Sequence, residues 1–151
     1  MSLRAGKSCK VALGSTAVVG MGTWKLDGIT ADQMDTSYFG ANWKTFEFGM
    51  KDGGTLTFNG FMDPDDVTGQ NQLQAYNIAN TDITSLRLYV DNTSYFEPCQ
   101  TTGYYAPGAL STGIDTIYSW VNITSFSIGA DKAGMLTVDF TAKVSGCMAL
   151  V

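Results

Sequence analysis

The sequence predicts a mostly antiparallel β protein with one helix, and three stretches carry that prediction. Residues 135–144 alternate without a break: Leu136, Val138, Phe140, Ala142 and Val144 fall on one face and Thr137, Asp139, Thr141 and Lys143 on the other. That is the period of a strand with one dry and one wet side. Residues 42–66 contain two short alternating runs about Lys51-Asp52-Gly53-Gly54, and Asp-Gly and Gly-Gly supply the positive φ of hairpin turns. Asp63-Pro64-Asp65-Asp66 then offers a capping carboxylate and negative charge at the positive end of a helix.

Taken in order, residues 1–14 combine charges and small residues with a short apolar patch, Val11-Ala12-Leu13. They read either as an arm ordered only by contact or as a frayed terminus. Residues 17–27 predict the first strand, with Gly20 and Gly22 marking a bulge or a close backbone approach. Residues 29–41 have no clean period and carry Met34, Tyr38 and Phe39 in a polar setting. A connection this long is a binding loop or a disordered one, and its aromatics favour a partner; a short helix packed on the core is the alternative. In the hairpin, Leu56 and Phe58 point one way and Thr55, Thr57 and Asn59 the other.

The helix is placed at residues 67–80, with Leu73, Tyr76 and Ile78 inward and Gly69 costing up to ~1 kcal/mol relative to alanine. Residues 85–91 alternate again, Leu86, Leu88 and Val90 in, Arg87 and Tyr89 out. Residues 92–116 form a second long connection, with a partial strand at 103–106. Residues 117–128 pair with 135–144, but Val121 and Ile123 have one parity and Phe126 and Ile128 the other. That switch predicts a bulge or corner near Thr124-Ser125, through which one strand serves two sheets. The apolar tail at 147–151, Cys147 to Val151, must be buried in the core or under a neighbour. Thr36-Ser37-Tyr38-Phe39 recurs as Thr93-Ser94-Tyr95-Phe96 in different surroundings, a coincidence and not a repeat.

With 151 residues the chain is one domain, able to bury roughly 70% of the surface it exposes unfolded. Only 15% of residues are charged, which fits a protein that hides surface against neighbours. Net charge is −5, and Arg4, Lys7 and Lys10 crowd the start, so the body is more acidic still. That balance argues against nucleic-acid binding and also serves solubility. The absence of histidine removes His-based catalysis and ordinary zinc ligation. Cys9, Cys99 and Cys147 are odd in number and far apart, reading as reduced thiols. Asp63, Asp65 and Asp66 have the chemistry to hold a cation, but helix capping accounts for them better. No cofactor, metal or enzymatic activity is predicted. No apolar stretch nears the ~20 residues of a membrane span, and the N-terminus lacks the apolar segment of a signal peptide. A soluble protein made in a cytoplasm is expected.

Several pieces, in order, carry a family resemblance over residues 18–146: Gly22-Thr23-Trp24-Lys25, Thr36, Gly40, Trp43-Lys44, the glycines from Gly49 to Gly54, Gly60, Asp63, Gly69-Gln70 and Leu73. Val121-Asn122-Ile123-Thr124-Ser125-Phe126, Asp131, Gly134 and Ser145-Gly146 close it. In order, spacing and length the chain resembles the tail tube (major tail) proteins of long-tailed, non-contractile bacteriophages. The resemblance implies one tube domain over residues 1–151, an antiparallel β-sandwich or barrel with one flanking helix. It further implies hexameric rings that stack into a tube, an acidic lumen that conducts DNA without binding it, and partners in tape-measure, tail-tip and tail-completion proteins. The location would be the virion, after synthesis in the host cytoplasm.

Within that frame the inter-subunit candidates are Val11 and Leu13, Met34, Tyr38 and Phe39, and Met148, Leu150 and Val151. Asp139, with Thr137 and Thr141, is the candidate lumen wall. The alternatives are a type VI secretion-like injection tube protein, or a β-sandwich module binding carbohydrate or a receptor through Trp24, Trp43 or Trp120.

Overall fold

A computed structural model describes residues 6–98 and 119–150; the predicted partial strand at 103–106, Cys99 and Val151 lie outside them. The described chain is mainly β, with eleven strands in antiparallel sheets and one α-helix. Five strands make the first sheet: β1 (Lys10–Leu13), β2 (Thr16–Ala17), β7 (Leu86–Tyr89), β8 (Tyr95–Pro98) and β11 (Met148–Leu150). They lie in the order β11-β8-β7-β1-β2. The second sheet runs β3-β6-β10-β9, from β3 (Met21–Asp27), β6 (Thr55–Phe61), β10 (Thr137–Ser145) and β9 (Trp120–Gly129). The remaining pair, β4 (Thr30–Asp35) and β5 (Phe46–Asp52), forms a separate two-stranded sheet.

One face of each large sheet feeds a common core, with Val11, Leu86 and Leu88 from the first and Leu56, Phe58, Val138, Phe140, Ala142 and Val144 from the second. Phe58 and Phe140 stack at 5.1 Å between ring centroids, an arrangement worth ~0.5–1.5 kcal/mol beyond burial. The parity switch in β9 is a bulge: Thr141 faces Ser125 and Ala142 faces Ile123, leaving Thr124 without an opposite number. The strand stays in one sheet, however, because β10 pairs with it on both sides of the bulge. Gly22 is likewise skipped between Met21 and Thr23 in the pairing of β3 with β6.

The predicted hairpin between β5 and β6 does not form. Core demand at Leu56 and Phe58 sets β6 between β3 and β10, so both its ladder sides are taken. Gly53 and Gly54 instead carry the chain from one sheet to the next through a tight crossing. A Cβ on Gly53 would stand 2.0 Å from the carbonyl oxygen of Gly146, and Gly54 sits at φ +96°. β5 turns to β4, so Thr30–Asp35 of the expected loop at 29–41 is strand. The expected arm at 1–14 also ends in structure: Lys10–Leu13 pairs with β7 and β2, and Val11 and Ala12 are buried, since those apolar residues complete the core. The strand expected first is thus the third. Val90 falls beyond the end of β7.

Helix α1 (Gln70–Ala79) starts three residues later than predicted and is held by side chains. Asp66 Oδ2 accepts from the Gln70 and Val19 amides at 3.0 and 2.9 Å. Gln70, fully buried, donates Nε2 to the carbonyls of Val19 and Phe61 at 2.5 and 2.7 Å and accepts the Asp63 amide on Oε1 at 2.9 Å. Within the Asp63-Pro64-Asp65-Asp66 cluster, Asp66 thus supplies the carboxylate at the helix start, and Asp63 accepts the Asp65 amide. Leu73 packs in the core and Tyr76 against it, while Ile78 points to solvent because it sits on the opposite face of a helix that touches the sheets along one side. Asn80, in the left-handed conformation, ends it.

Replacing Gln70 with Ala strands two carbonyls and an amide, so urea unfolding is expected to show a loss of at least about 3 kcal/mol at ~1–3 kcal/mol per orphaned group. Gly60→Ala is expected to cost a comparable amount, about 1–3 kcal/mol or more from overpacking, because its Cβ would meet the Gly20 carbonyl oxygen at 2.0 Å.

Candidate assembly surfaces

The β4–β5 hairpin stands exposed on both faces. Gln33 faces Phe48 and Asp35 faces Phe46 across it, while Met34 faces Glu47 on the other side. Phe48 is 66% exposed and Met50 87%. At the tip, Asp35 accepts the Ser37 amide at 2.8 Å, Ser37 Oγ accepts the Thr45 amide at 2.9 Å, and the Thr36 and Thr45 hydroxyls meet at 3.0 Å. The Ser37 hydroxyl and amide hold the Asp35 carboxyl below its ordinary range. This pinned tip presents Tyr38, Phe39 and Trp43 outward, Phe39 wholly exposed. A two-stranded ribbon is marginal in water by itself, and so much contiguous exposed apolar surface marks an interaction site.

A second feature is the pair of edges on the second sheet. The edges of the first sheet are blunt, two residues in β2 and three in β11. Its outer face is closed by a ladder in which Lys10 lies over Tyr89, Arg87 over Tyr95, and Arg87 donates to Glu97 at 3.2 Å. The edges of the second sheet are seven and ten residues long. The start of β9 is covered, by a bridge from Ile83 to Val121 and by Asn77 Nδ2 donating to the Ile123 carbonyl at 2.8 Å. Beyond the bulge, residues 124–129 pair only with β10 among the described residues, and β3 pairs only with β6. Long open edges are templates for a further strand.

The outward face of that sheet is a mainly polar wall, with Phe61 beside Thr137 and Trp120 beside Ser145 at its two ends. Across it run the rows Thr23, Asn59, Asp139, Ser127 and Lys25, Thr57, Thr141, Ser125, then Asp27, Thr55, Lys143, Asn122. Lys25 and Lys143 stand on it among Asp27 and Asp139, and Asp52 reaches the same face by pairing with Lys143. Thr137, Asp139 and Thr141 all lie on it.

No family model and no curated protein matches the sequence. Solved structures do. A chain from the tail of an empty gene transfer agent particle with C6 symmetry aligns with a TM-score of 0.71 at 11% identity, covering 99% of each chain. The SPP1 tail tube aligns at 0.57 and 9% identity, covering 97% of this chain and 79% of that one. A chain of an extracellular contractile injection system in its sheath–tube complex aligns at 0.56 and 11% identity over 99% and 91%. The chain has the tail tube fold.

On that fold the sequence-derived candidates separate. Met34, Tyr38 and Phe39 cluster on the hairpin and its tip, and Leu150 is exposed on β11. Val11 and Met148 are core residues of their own chain and are corrected as interface candidates; Leu13 is packed against the same core. Their strands pair within the first sheet, which takes them from the surface. Phe46, Phe48 and Met50 of β5 are exposed too and were not among the sequence-derived candidates. Their apolar character is legible, but their alternation has the same period as a strand with one buried face. The three tryptophans share no face: Trp24 packs toward the core, Trp120 faces outward opposite Ser145, and Trp43 sits at the hairpin tip.

The double variant Phe46→Ser, Phe48→Ser is expected to melt within about 0.5 kcal/mol of the parent, as surface changes do. It should fail to associate at concentrations where the parent does; sedimentation velocity reads both states.

Proposed function

We propose that this protein is the building block of a phage tail tube: six copies close a ring, rings stack, and DNA leaves through the bore. The observation that carries the reading is the direction of the two open edges. Three antiparallel pairings separate β3 from β9, so the two edges run oppositely. In a ring whose subunits all face one way, β9 of one copy meets β3 of the next antiparallel, and the sheet continues without a break. Such an interface is heterologous and closed by rotation, with strand addition as its chemistry.

The size also fits. Six copies of a four-stranded sheet, at ~4.8 Å per strand and tilted by ~40°, give a barrel about 48 Å across its backbone. Inward side chains take ~5 Å on each side, leaving a bore of about 38 Å, wider than a DNA double helix. The sixfold count is supported by the C6 symmetry of the gene transfer agent tail. The polar wall then lines the bore, and the first sheet and α1 lie outside it. The hairpin, too exposed to be content alone, docks on the neighbouring ring and makes the stack. Tape-measure, tail-tip and tail-completion proteins are the natural partners, and the virion is the location. An injection-device tube is the second reading, supported by the likeness to the contractile injection system.

Electron microscopy of the concentrated protein is expected to show sixfold rings or tubes; persistent monomers at every concentration would overturn the reading. Asp139→Lys, placing a cation on each subunit's wall, should leave assembly intact and slow DNA ejection from particles. Unchanged ejection would take Asp139 off the bore.

A further inference from the structure

Lys143 is one of two lysines on the wall, in the row with Asp27, Thr55 and Asn122. Its ammonium donates to Asp52 Oδ1 at 2.5 Å. Asp52 comes from β5, ninety-one residues away and in another sheet, and its placement is built in. The same oxygen accepts the Gly54 amide at 2.9 Å, the Gly54 carbonyl accepts the Val144 amide at 3.1 Å, and Gly53 lies against Gly146 too closely to admit a side chain. The other wall lysine, Lys25, pairs with Asp27 at 3.2 Å on its own strand. Every cation of the wall is thus matched by a carboxylate, and Asp139 is the charge without an ion pair among the described residues.

We propose that Asp52 is a charge mask, carried to the wall by the base of the hairpin strand so that no lysine there is free to hold a passing DNA phosphate. This rests on the wall being the bore. A stability role does not explain the pair: both side chains are about half exposed, and exposed pairs contribute little. As a mask it works at the right range. A duplex in such a bore passes within about one Debye length of the wall, ~8 Å at physiological salt, where an unmatched lysine is felt and a matched one is not. One lysine per subunit, repeated six times in each ring, would turn a slippery wall into a stack of cationic collars. Hydrogen bonds from Lys143 and then from the Gly54 amide hold the Asp52 carboxyl below its ordinary range. Because its folded value is lowered, the mask persists at neutral and mildly acidic pH and is lost only as pH falls through that lowered value.

The test uses particles or reconstituted tubes carrying Asp52→Asn, which removes the charge and keeps an oxygen for the Gly54 amide. DNA ejection is expected to slow by ~10-fold at low salt and to recover as salt rises, since each lysine–phosphate contact weakens ~3-fold between 50 and 200 mM salt. Asp52→Asn combined with Lys143→Gln should eject at the parental rate. Tubes that assemble and eject normally with Asp52→Asn at low salt would overturn the mask alone, as would a double variant that stays slow. Failure of the unaltered chain to form tubes would overturn the tube and the mask together.

Discussion

The buried amide of Gln70 is the joint on which the rest of the domain hangs. It makes three hydrogen bonds to the backbone, reaching Val19, Phe61 and Asp63, while Asp66 beside it takes the amides of Val19 and Gln70. One side chain thereby fixes the entry to β3, the exit from β6 and the first turn of α1. A side chain at zero exposure tolerates no missing partner, since each orphaned backbone group costs ~1–3 kcal/mol. The three segments share that one set of hydrogen bonds. That is how a short helix with weak intrinsic propensity keeps a fixed place beside the sheets.

With that joint set, the core fills from two sheets and leaves a defined remainder. The first sheet ends in strands of two and three residues and covers its outer face with stacked cation and tyrosine side chains. The second ends in long strands, one of them open beyond its bulge, and shows the solvent a polar wall. The hairpin is apolar and uncovered. A lone protein that kept an open edge and a bare apolar ribbon would invite aggregation.

Much of the fold could be read in advance where a period was long and uninterrupted. The β10 strand lay within two residues of its predicted limits, and the parity switch at Val121, Ile123, Phe126 and Ile128 located the bulge at Thr124. Gly20 does approach β6 closely, its missing Cβ lying 2.4 Å from the Phe61 carbonyl oxygen. Errors gathered where a local signal had two tertiary outcomes. Asp52-Gly53-Gly54 reads as a hairpin turn and acts as a crossing, because the ladder sides of β6 were claimed from far along the chain. Val11 and Met148 read as sticky ends and lie in the core for a similar reason, long-range pairing with β7 and β8. Of the exposed apolar residues on the hairpin, Met34, Tyr38 and Phe39 were legible as apolar residues in a polar setting. Phe46 and Phe48 were hidden by alternation that looked like a core strand.

The sequence by itself determined which residues alternate, where φ must be positive, where a helix is capped, and that no histidine is present. Those properties act over a few residues, through sterics, period and side-chain chemistry. Only the tertiary structure decided which strands pair, which apolar runs stay bare, and that each lysine of the wall meets a carboxylate. Strand partners and ion pairs such as Lys143 with Asp52 join residues up to ninety-one positions apart, and no local pattern specifies a contact whose energy exists only after the sheets have met.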